Sequence, residues 1–110
     1  MKEGVASHTR RSERVNIATW WNGPTSRPVR IHEPRVGTRY AETTLLFSTV
    51  TGTKKIPLKF PNELVEDVRQ VAVGEEIHVK GDTHIVDYVS ESGSRRRRVW
   101  VDVHTLKRTP

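Results

Sequence analysis

The segment from Lys54 to Val103 constrains the fold more than any other part of the chain. Its pattern predicts a short strand, a helix from Asn62 to Val71, a strand after Gly74 and a hairpin that turns at Gly93. Apolar and polar residues alternate within the predicted strands, which is the period of a strand with one buried face. This order of strand, helix, strand and hairpin is what the second half of a small five-stranded barrel requires.

Two further strands are predicted before this segment. The first starts at Val15, reaches Trp21 and ends at the strong turn signal Asn-Gly-Pro. Residues 25–36 are rich in proline and arginine, so they are predicted to be a loop or a broken strand. The second strand runs from Gly37 to Val50. The sequence therefore predicts an all-β fold, an oligonucleotide-binding (OB) barrel of five strands with one short helix between strands three and four.

The length of the chain allows one domain with one core, because 110 residues leave no room for a second. We expect a flexible basic arm at residues 1–14, the barrel at residues 15–103 and a short basic tail at residues 104–110. The hydrophobic fraction of 34% is low for a globular domain but is typical of a small barrel with mobile ends.

The predicted core follows from the alternation of apolar residues. It comprises one face of each strand and an apolar stripe on the helix, including Ile56, Leu58, Phe60, Leu64, Val65, Val68, Val71, Ile77, Val79, Val99, Val101 and Val103. Trp20 is also assigned to packing. Pro57 lacks a donor for a ladder hydrogen bond and predicts a bulge or a locally unpaired edge. Asn62 is predicted to cap the helix.

Charge indicates a polyanionic partner. Basic residues outnumber acidic ones by 19 to 13 and the isoelectric point is near 10.2, which favours association with polyanions. The chain has no cysteine, which excludes disulfides and thiolate metal sites. It has no apolar run of membrane-spanning length. We expect a cytoplasmic protein, associated with the nucleoid or, for a viral protein, located in the host cytoplasm.

Catalytic patterns are missing from the sequence. There is no glycine-rich phosphate loop and no paired-carboxylate motif, and the spacing of His78 and His84 is not a metal-ligand pattern. The sequence therefore predicts neither enzymatic activity nor a metal or cofactor.

Four segments and two single residues, in their order and spacing, resemble motifs of the bacterial-type single-stranded DNA-binding protein family: Ile17–Pro24, Gly37–Glu42, Leu64–Glu66, Gly74–Gly81, Tyr88 and Gly93. The resemblance extends over about residues 15–103. It implies an OB barrel that assembles as dimers or tetramers by pairing first strands and packing sheet faces. It also implies that Tyr88 stacks on a base.

Three departures from the family pattern are notable. Ala18 stands where a glycine is usual, and Lys54 replaces a base-stacking tryptophan at the start of strand three. The acidic, proline-rich tail ending in phenylalanine is missing. The last departure implies a phage, plasmid or otherwise specialised member, or a chain lacking its tail.

A binder of single strands needs a cationic groove with aromatic side chains along it, because single strands expose phosphates and base faces. We predict that groove at Lys54, Lys55, Lys59, Arg39, Arg95, Arg96, Arg97, Arg98, Tyr88 and Trp100, with Tyr40 or Trp21 as further platforms. The function that follows is sequence-tolerant binding of single-stranded DNA in replication, recombination or repair. Val15, Ile17 and Trp21 are candidates for an oligomer interface.

Alternatives remain open at this stage. The four adjacent arginines could form a solvated hairpin tip, and Trp100 could be buried in a subunit interface. The same barrel accepts RNA as well as DNA. A protein-docking barrel with weak affinity for strands is the third class, and the replacement of a stacking tryptophan by Lys54 favours it.

Overall fold

The computed structural model describes residues 11–108 and is mostly strand. Its elements are β1 (Arg11–Pro24), β2 (Arg30–Arg35), β3 (Thr38–Thr49), β4 (Gly52–Phe60), a 3-10 turn (Asn62–Leu64), α1 (Val65–Arg69), β5 (Glu76–Val89) and β6 (Arg95–Arg108). Residues 1–10 of the predicted arm and residues 109–110 of the predicted tail lie outside the described residues.

The strands form one curled sheet in the order β1-β5-β6-β4-β3-β2. All neighbours are antiparallel except β4 and β6, which pair in parallel. A bridge between Thr25 and Leu45 joins the end of β1 to β3. Beside it, the Ser26 N–H donates to the Thr44 carbonyl at 2.9 Å. The curled sheet is therefore a partly closed barrel, as expected for an OB fold.

The predicted count of five strands is wrong by one, because Arg30–Arg35 forms the additional strand β2. It lies in the segment predicted as loop or broken strand. As an edge strand it pairs only with β3, and the register shifts between His32 and Arg35. Pro34 lies inside that irregular stretch, where the missing N–H costs no regular ladder bond.

The core lies inside the curl and is closed at one end by the helix. Its buried members are Ala41, Leu45, Ile56, Leu58, Phe60, Val65, Val68, Val71, Ile77, Val79, Val101 and Val103. Phe60 is fully buried, which confirms its assignment to the core. Pro57 pairs with Thr44 without a register shift and precedes the two-residue pairing of β4 with β6. The structure thus selects the unpaired-edge alternative for Pro57.

The helix is shorter than predicted. It begins as a 3-10 turn after Pro61, and α1 ends at Arg69 rather than at Val71. The prediction that Asn62 caps the helix is wrong, since the residue before the turn is Pro61 and no side-chain capping bond is present there. The Pro61 carbonyl instead accepts the Leu64 N–H at 2.9 Å.

The sheet extends beyond both predicted boundaries of the barrel. β1 starts at Arg11, within the predicted arm, and Arg11 lies opposite Tyr88 of β5. β6 runs to Arg108, within the predicted tail. Two nitrogens of the Arg108 guanidinium donate to the carboxylate of Glu75, at 2.6 and 3.0 Å, and hold the end of the strand in place. Residues 11–14 and 104–108 are therefore part of the folded domain.

Two bulges meet at Gly81 of β5. On one side, β1 contains an extra residue between Asn16 and Thr19, and on the other the register of β6 shifts at the same level. A side chain at Gly81 would overlap the carbonyl oxygen of Asp102. Bulges and glycines of this kind let a sheet coil tightly enough to curl into a barrel.

The bulge in β1 reverses the faces of the residues that follow it. Trp20 is 54% exposed and Trp21 packs against the core. The assignment of Trp20 to packing is therefore wrong, because the extra residue shifts the alternation by one position. Within the bulge, Ala18 has φ of 54°, and its N–H donates to Asp82 Oδ1 at 3.1 Å.

We expect Ala18→Gly to stabilise the domain. The left-handed backbone strains alanine, so glycine raises the free energy of unfolding by up to about 1 kcal/mol. Ala72→Gly is the matched control, because Ala72 has an ordinary negative φ and glycine there only increases the entropy of the unfolded chain. Urea denaturation of both variants measures the difference. Equal destabilisation by the two substitutions would contradict the strain at Ala18.

Candidate nucleic-acid interface

The outer face of β4, β5 and β6 gathers aromatic and basic side chains. Neighbouring strands place three pairs opposite each other, His84 with Trp100, Val86 with Arg98 and Tyr88 with Arg96, and β4 adds a lysine. We call this set the stacking face: Lys59, His84, Val86, Tyr88, Arg96, Arg98 and Trp100. It combines the two predicted stacking aromatics with three of the predicted cations.

Trp100 is the centre of the stacking face. Its ring is half-buried and stacks on the imidazole of His84, with centroids 4.9 Å apart and planes within 4°. His84 is oriented by Asp102, whose Oδ2 lies 2.8 Å from Nε2. Two cations reach over the indole, Lys59 Nζ at 5.5 Å and Arg98 Cζ at 5.6 Å from the ring centroid. The Trp100 ring therefore presents a flat aromatic surface with two positive charges beside it.

A groove of about 360 Å³ connects Trp100 to Tyr88. Arg11, Val86, Val89 and Arg98 complete its lining. Val86 is 3% exposed although it lies on the outer side of β5. It gives the groove an apolar patch between two half-buried rings, which suits the face of a base better than a fully hydrated ligand.

The cations of the stacking face have no carboxylate partners. None of the ion pairs within residues 11–108 includes Lys59, Arg96 or Arg98. Arg97 differs, because it lies opposite Asp87 and contacts that carboxylate at 2.7 Å. The hydrogen bonds from Arg97 hold the pKa of Asp87 below its ordinary value. The charge of Arg97 is thus balanced and that of its two neighbours is not.

The other predicted cations lie away from the stacking face. Strand alternation puts Arg95 and Arg97 on the opposite side of the hairpin. Arg39 is half-buried and contacts Glu66 of α1 at 3.1 Å. Lys54 lies opposite Phe47, and Lys55 is on the outer side of β4 roughly 13 Å from Lys59 along the strand.

Three residues near Trp100 and Tyr88 were not predicted as site residues. His84 and Val86 belong to the site only because β5 and β6 pair in this register, which an isolated sequence does not show. Arg11 lines the groove, yet the polar composition around it predicts a mobile arm. His84 and Val86 alternate along β5 with Tyr88 and so share its face. This alternation is the sequence signal that could have identified them as site residues.

The three predicted interface residues separate into two groups. Val15 and Ile17 are 45% and 74% exposed on β1, which is an edge strand. The side chain of Trp21 points toward the core of its own domain and packs edge-on against Phe47, with ring centroids 4.9 Å apart. An oligomer contact through Val15 and Ile17 stays a prediction, and Trp21 has one side already covered.

Trp21 is held by a chain of hydrogen bonds. Its Nε1 donates to Thr83 Oγ1 at 2.9 Å, and Thr83 Oγ1 is 2.7 Å from Thr19 Oγ1. The Thr19 hydroxyl donates to the carbonyl of Gly81 at 2.9 Å. When the Thr83 hydroxyl donates to Thr19 Oγ1, each of the three donors in this hydrogen-bond network has one acceptor. The network fixes the tryptophan to the level of the sheet where the bulges lie.

Within residues 11–108, no three His, Asp or Glu side chains are grouped so that they could hold a metal ion. In the same part of the chain, no helix is long and apolar enough to cross a membrane.

Comparisons with known proteins identify the fold. The structure is similar to the crystal structure of Rim1, a mitochondrial single-stranded DNA-binding protein from S. cerevisiae, with a TM-score of 0.67 over 90% of this chain and 95% of that one. The two sequences are 14% identical. Neither protein-family models nor curated protein sequences give a match. At this identity the likeness establishes the fold alone, an OB fold.

We expect Thr83→Val to destabilise the domain by about 1–3 kcal/mol. Valine keeps the shape of threonine but leaves the Trp21 N–H without its acceptor at a site where Thr83 is only 3% exposed. Thr83→Ser is the control, because it retains the hydroxyl. Thermal unfolding followed by circular dichroism compares the two. A valine variant as stable as the serine variant would show that the network contributes nothing to stability.

Proposed function

We propose that the protein binds single-stranded DNA on the stacking face, with little preference for sequence. The observation that carries the proposal is Trp100, an indole that is part-exposed, supported by His84 and flanked by the unpaired cations Lys59 and Arg98. Bases stack on such a ring whatever their identity, and the cations contact the phosphates on either side.

Duplex DNA is a poor ligand for this surface. Its bases are already stacked on each other, so neither Trp100 nor Tyr88 can reach a base face. A protein of this type acts wherever strands are separated, and we propose a role in DNA replication, recombination or repair. The overall similarity of the fold to that of a single-stranded DNA-binding protein supports the binding of single-stranded DNA.

Assembly through β1 is part of the proposal. β1 pairs with β5 on one side only, and the exposed Val15 and Ile17 lie on it. An edge strand with unpaired backbone groups and exposed β-branched side chains is a template for a second strand. We propose that two copies of the chain pair along β1, giving a dimer or, by packing of the paired sheets, a tetramer.

We expect Tyr88→Ala to weaken binding to oligothymidylate by about 1–3 kcal/mol, because one stacking platform is lost. The dependence on salt should stay nearly constant, since no phosphate contact is removed. Tyr88→Phe is the control, because it keeps the ring, and it should bind like the wild type. Fluorescence titration measures the affinities, with matched RNA and duplex DNA as competitors. An alanine variant that stays folded and binds normally would contradict the stacking role.

We expect replacement of Arg96 and Arg98 by alanine to flatten the salt dependence of binding. Each lost phosphate contact lowers the slope of log K against log salt by about 0.7 for a single strand. The matched control replaces Arg95 and Arg97, which removes the same charge from the opposite side of the hairpin and should change the slope less. If both pairs changed it equally, net charge rather than the stacking face would drive binding.

If the protein bound RNA more tightly than DNA of the same sequence, the result would favour an RNA-binding barrel over a DNA-binding one. No binding to any single strand by the folded wild type would favour the protein-docking alternative.

We expect Ile17→Lys to dissociate the oligomer, because a charge on the free edge of β1 opposes pairing with a second copy. Val36→Lys is the control, since Val36 is equally apolar and 98% exposed but lies between β2 and β3. Light scattering at micromolar concentration gives the mass of each. A wild-type monomer in that measurement would contradict assembly through β1.

A further inference from the structure

Trp20 is a second exposed aromatic that the stacking face does not include. It is 54% exposed, an unusual state for so large an apolar side chain. Two ammonium groups lie over its ring, Lys80 Nζ and Lys107 Nζ, each 5.5 Å from the centroid. Trp20 therefore repeats the arrangement of Trp100, an indole flanked by two cations, on a different part of the sheet.

The two lysines carry charge that no neighbouring carboxylate balances. Neither takes part in an ion pair within the described residues 11–108. Two like charges held over one ring repel each other, and an anion between them would relieve that repulsion. A nucleotide has both groups that this site can bind. Its base stacks on the indole, and its phosphate contacts the ammonium groups.

Trp20 lies on the same outer side of β5 as the stacking face. Trp20 lies opposite Lys80, and Trp100 lies opposite His84, four residues further along β5. Tyr88 follows after another four residues. Measured along β5, the three rings therefore lie at levels roughly 13 Å apart, with Trp20 on β1 to one side of β5 and Trp100 on β6 to the other. A single flexible strand laid along β5 meets them in succession.

We propose that Trp20, Lys80 and Lys107 form a second platform for the same single-stranded DNA, which extends the binding track from the stacking face to the other end of β5. This inference rests on the proposed function. It assigns to the bulge in β1 a role in binding, because without the extra residue Trp20 would point into the barrel.

The track between the platforms contains two carboxylates, and both are engaged. Asp102 contacts His84 at 2.8 Å, and Asp82 contacts His104 at 3.1 Å while accepting the N–H of Ala18. The Ala18 N–H, followed by His104, holds the pKa of Asp82 below its ordinary value, so that carboxylate is ionised and committed to its partners. The strand crosses this middle section by its flexible backbone and gains contacts at the two ends.

A length series of oligothymidylates tests the second platform. Oligomers of about 4 to 16 nucleotides bracket the range that one OB domain covers. The shortest are held by the stacking face alone, and the longest reach Trp20. We expect Trp20→Ala to match the wild type for the shortest oligomers and to bind the longest roughly fivefold or more weakly. Val36→Ala, another exposed apolar residue, is the control and should follow the wild type at every length.

A charge variant provides a second measurement that does not depend on the indole. Replacing Lys80 and Lys107 by glutamine should lower the salt slope for the longest oligomers by about 1.4, the value for two phosphate contacts. The control replaces Arg30 and Arg35 of the edge strand β2 by glutamine, which removes the same net charge from a strand that pairs only with β3.

The outcomes distinguish a failure of the second platform from a failure of the proposed function. If Trp20→Ala matches the wild type at every length, or weakens the shortest and the longest oligomers by the same factor, the second platform is wrong and the stacking face stands. A salt slope lowered as much by the β2 variant as by the lysine variant also overturns it. If the wild type binds no oligomer of any length, the proposed function itself fails.

Discussion

The close contact between Gly81 and the backbone of Asp102 fixes where the sheet bends. Only a residue without a side chain allows β5 and β6 to approach at that point. Both neighbours of β5 carry a bulge at the same level. On one side of the bend the strands curl around the core, and on the other β1, β5 and β6 continue as a ribbon. The placement of Trp20 and Trp100 relative to the core follows from this geometry.

The two sides of the bend differ in what holds them together. The barrel is stabilised by apolar burial, with Phe60, Leu58 and Val68 completely enclosed. Residues 91–98 at the tip of the ribbon are exposed throughout, and the ion pair of Arg97 with Asp87 lies there. Surface ion pairs contribute little to stability. The barrel therefore supplies the free energy of folding, and the ribbon carries the run of four arginines, Arg95 to Arg98.

Much of the barrel could be predicted from the sequence, because strict alternation identifies buried strand faces. Phe60 and the neighbours on its face are the clearest case. Trp20 could not be placed, because a one-residue bulge reverses the alternation and leaves no mark in composition. β2 was missed because an edge strand that pairs on one side tolerates the prolines that normally exclude a strand. Cross-strand partners such as His84 and Trp100 require the register, which is a tertiary property.

The separation of charge from packing has a consequence for how this protein can change over time. Arg95 to Arg98 are all exposed, so substitutions among them change the charge of the hairpin at little cost in folding. Most proteins must trade activity against stability, because binding residues share space with the core. Here the arginine run can vary in number and sequence, so the positive charge of the ribbon can change while the core stays the same.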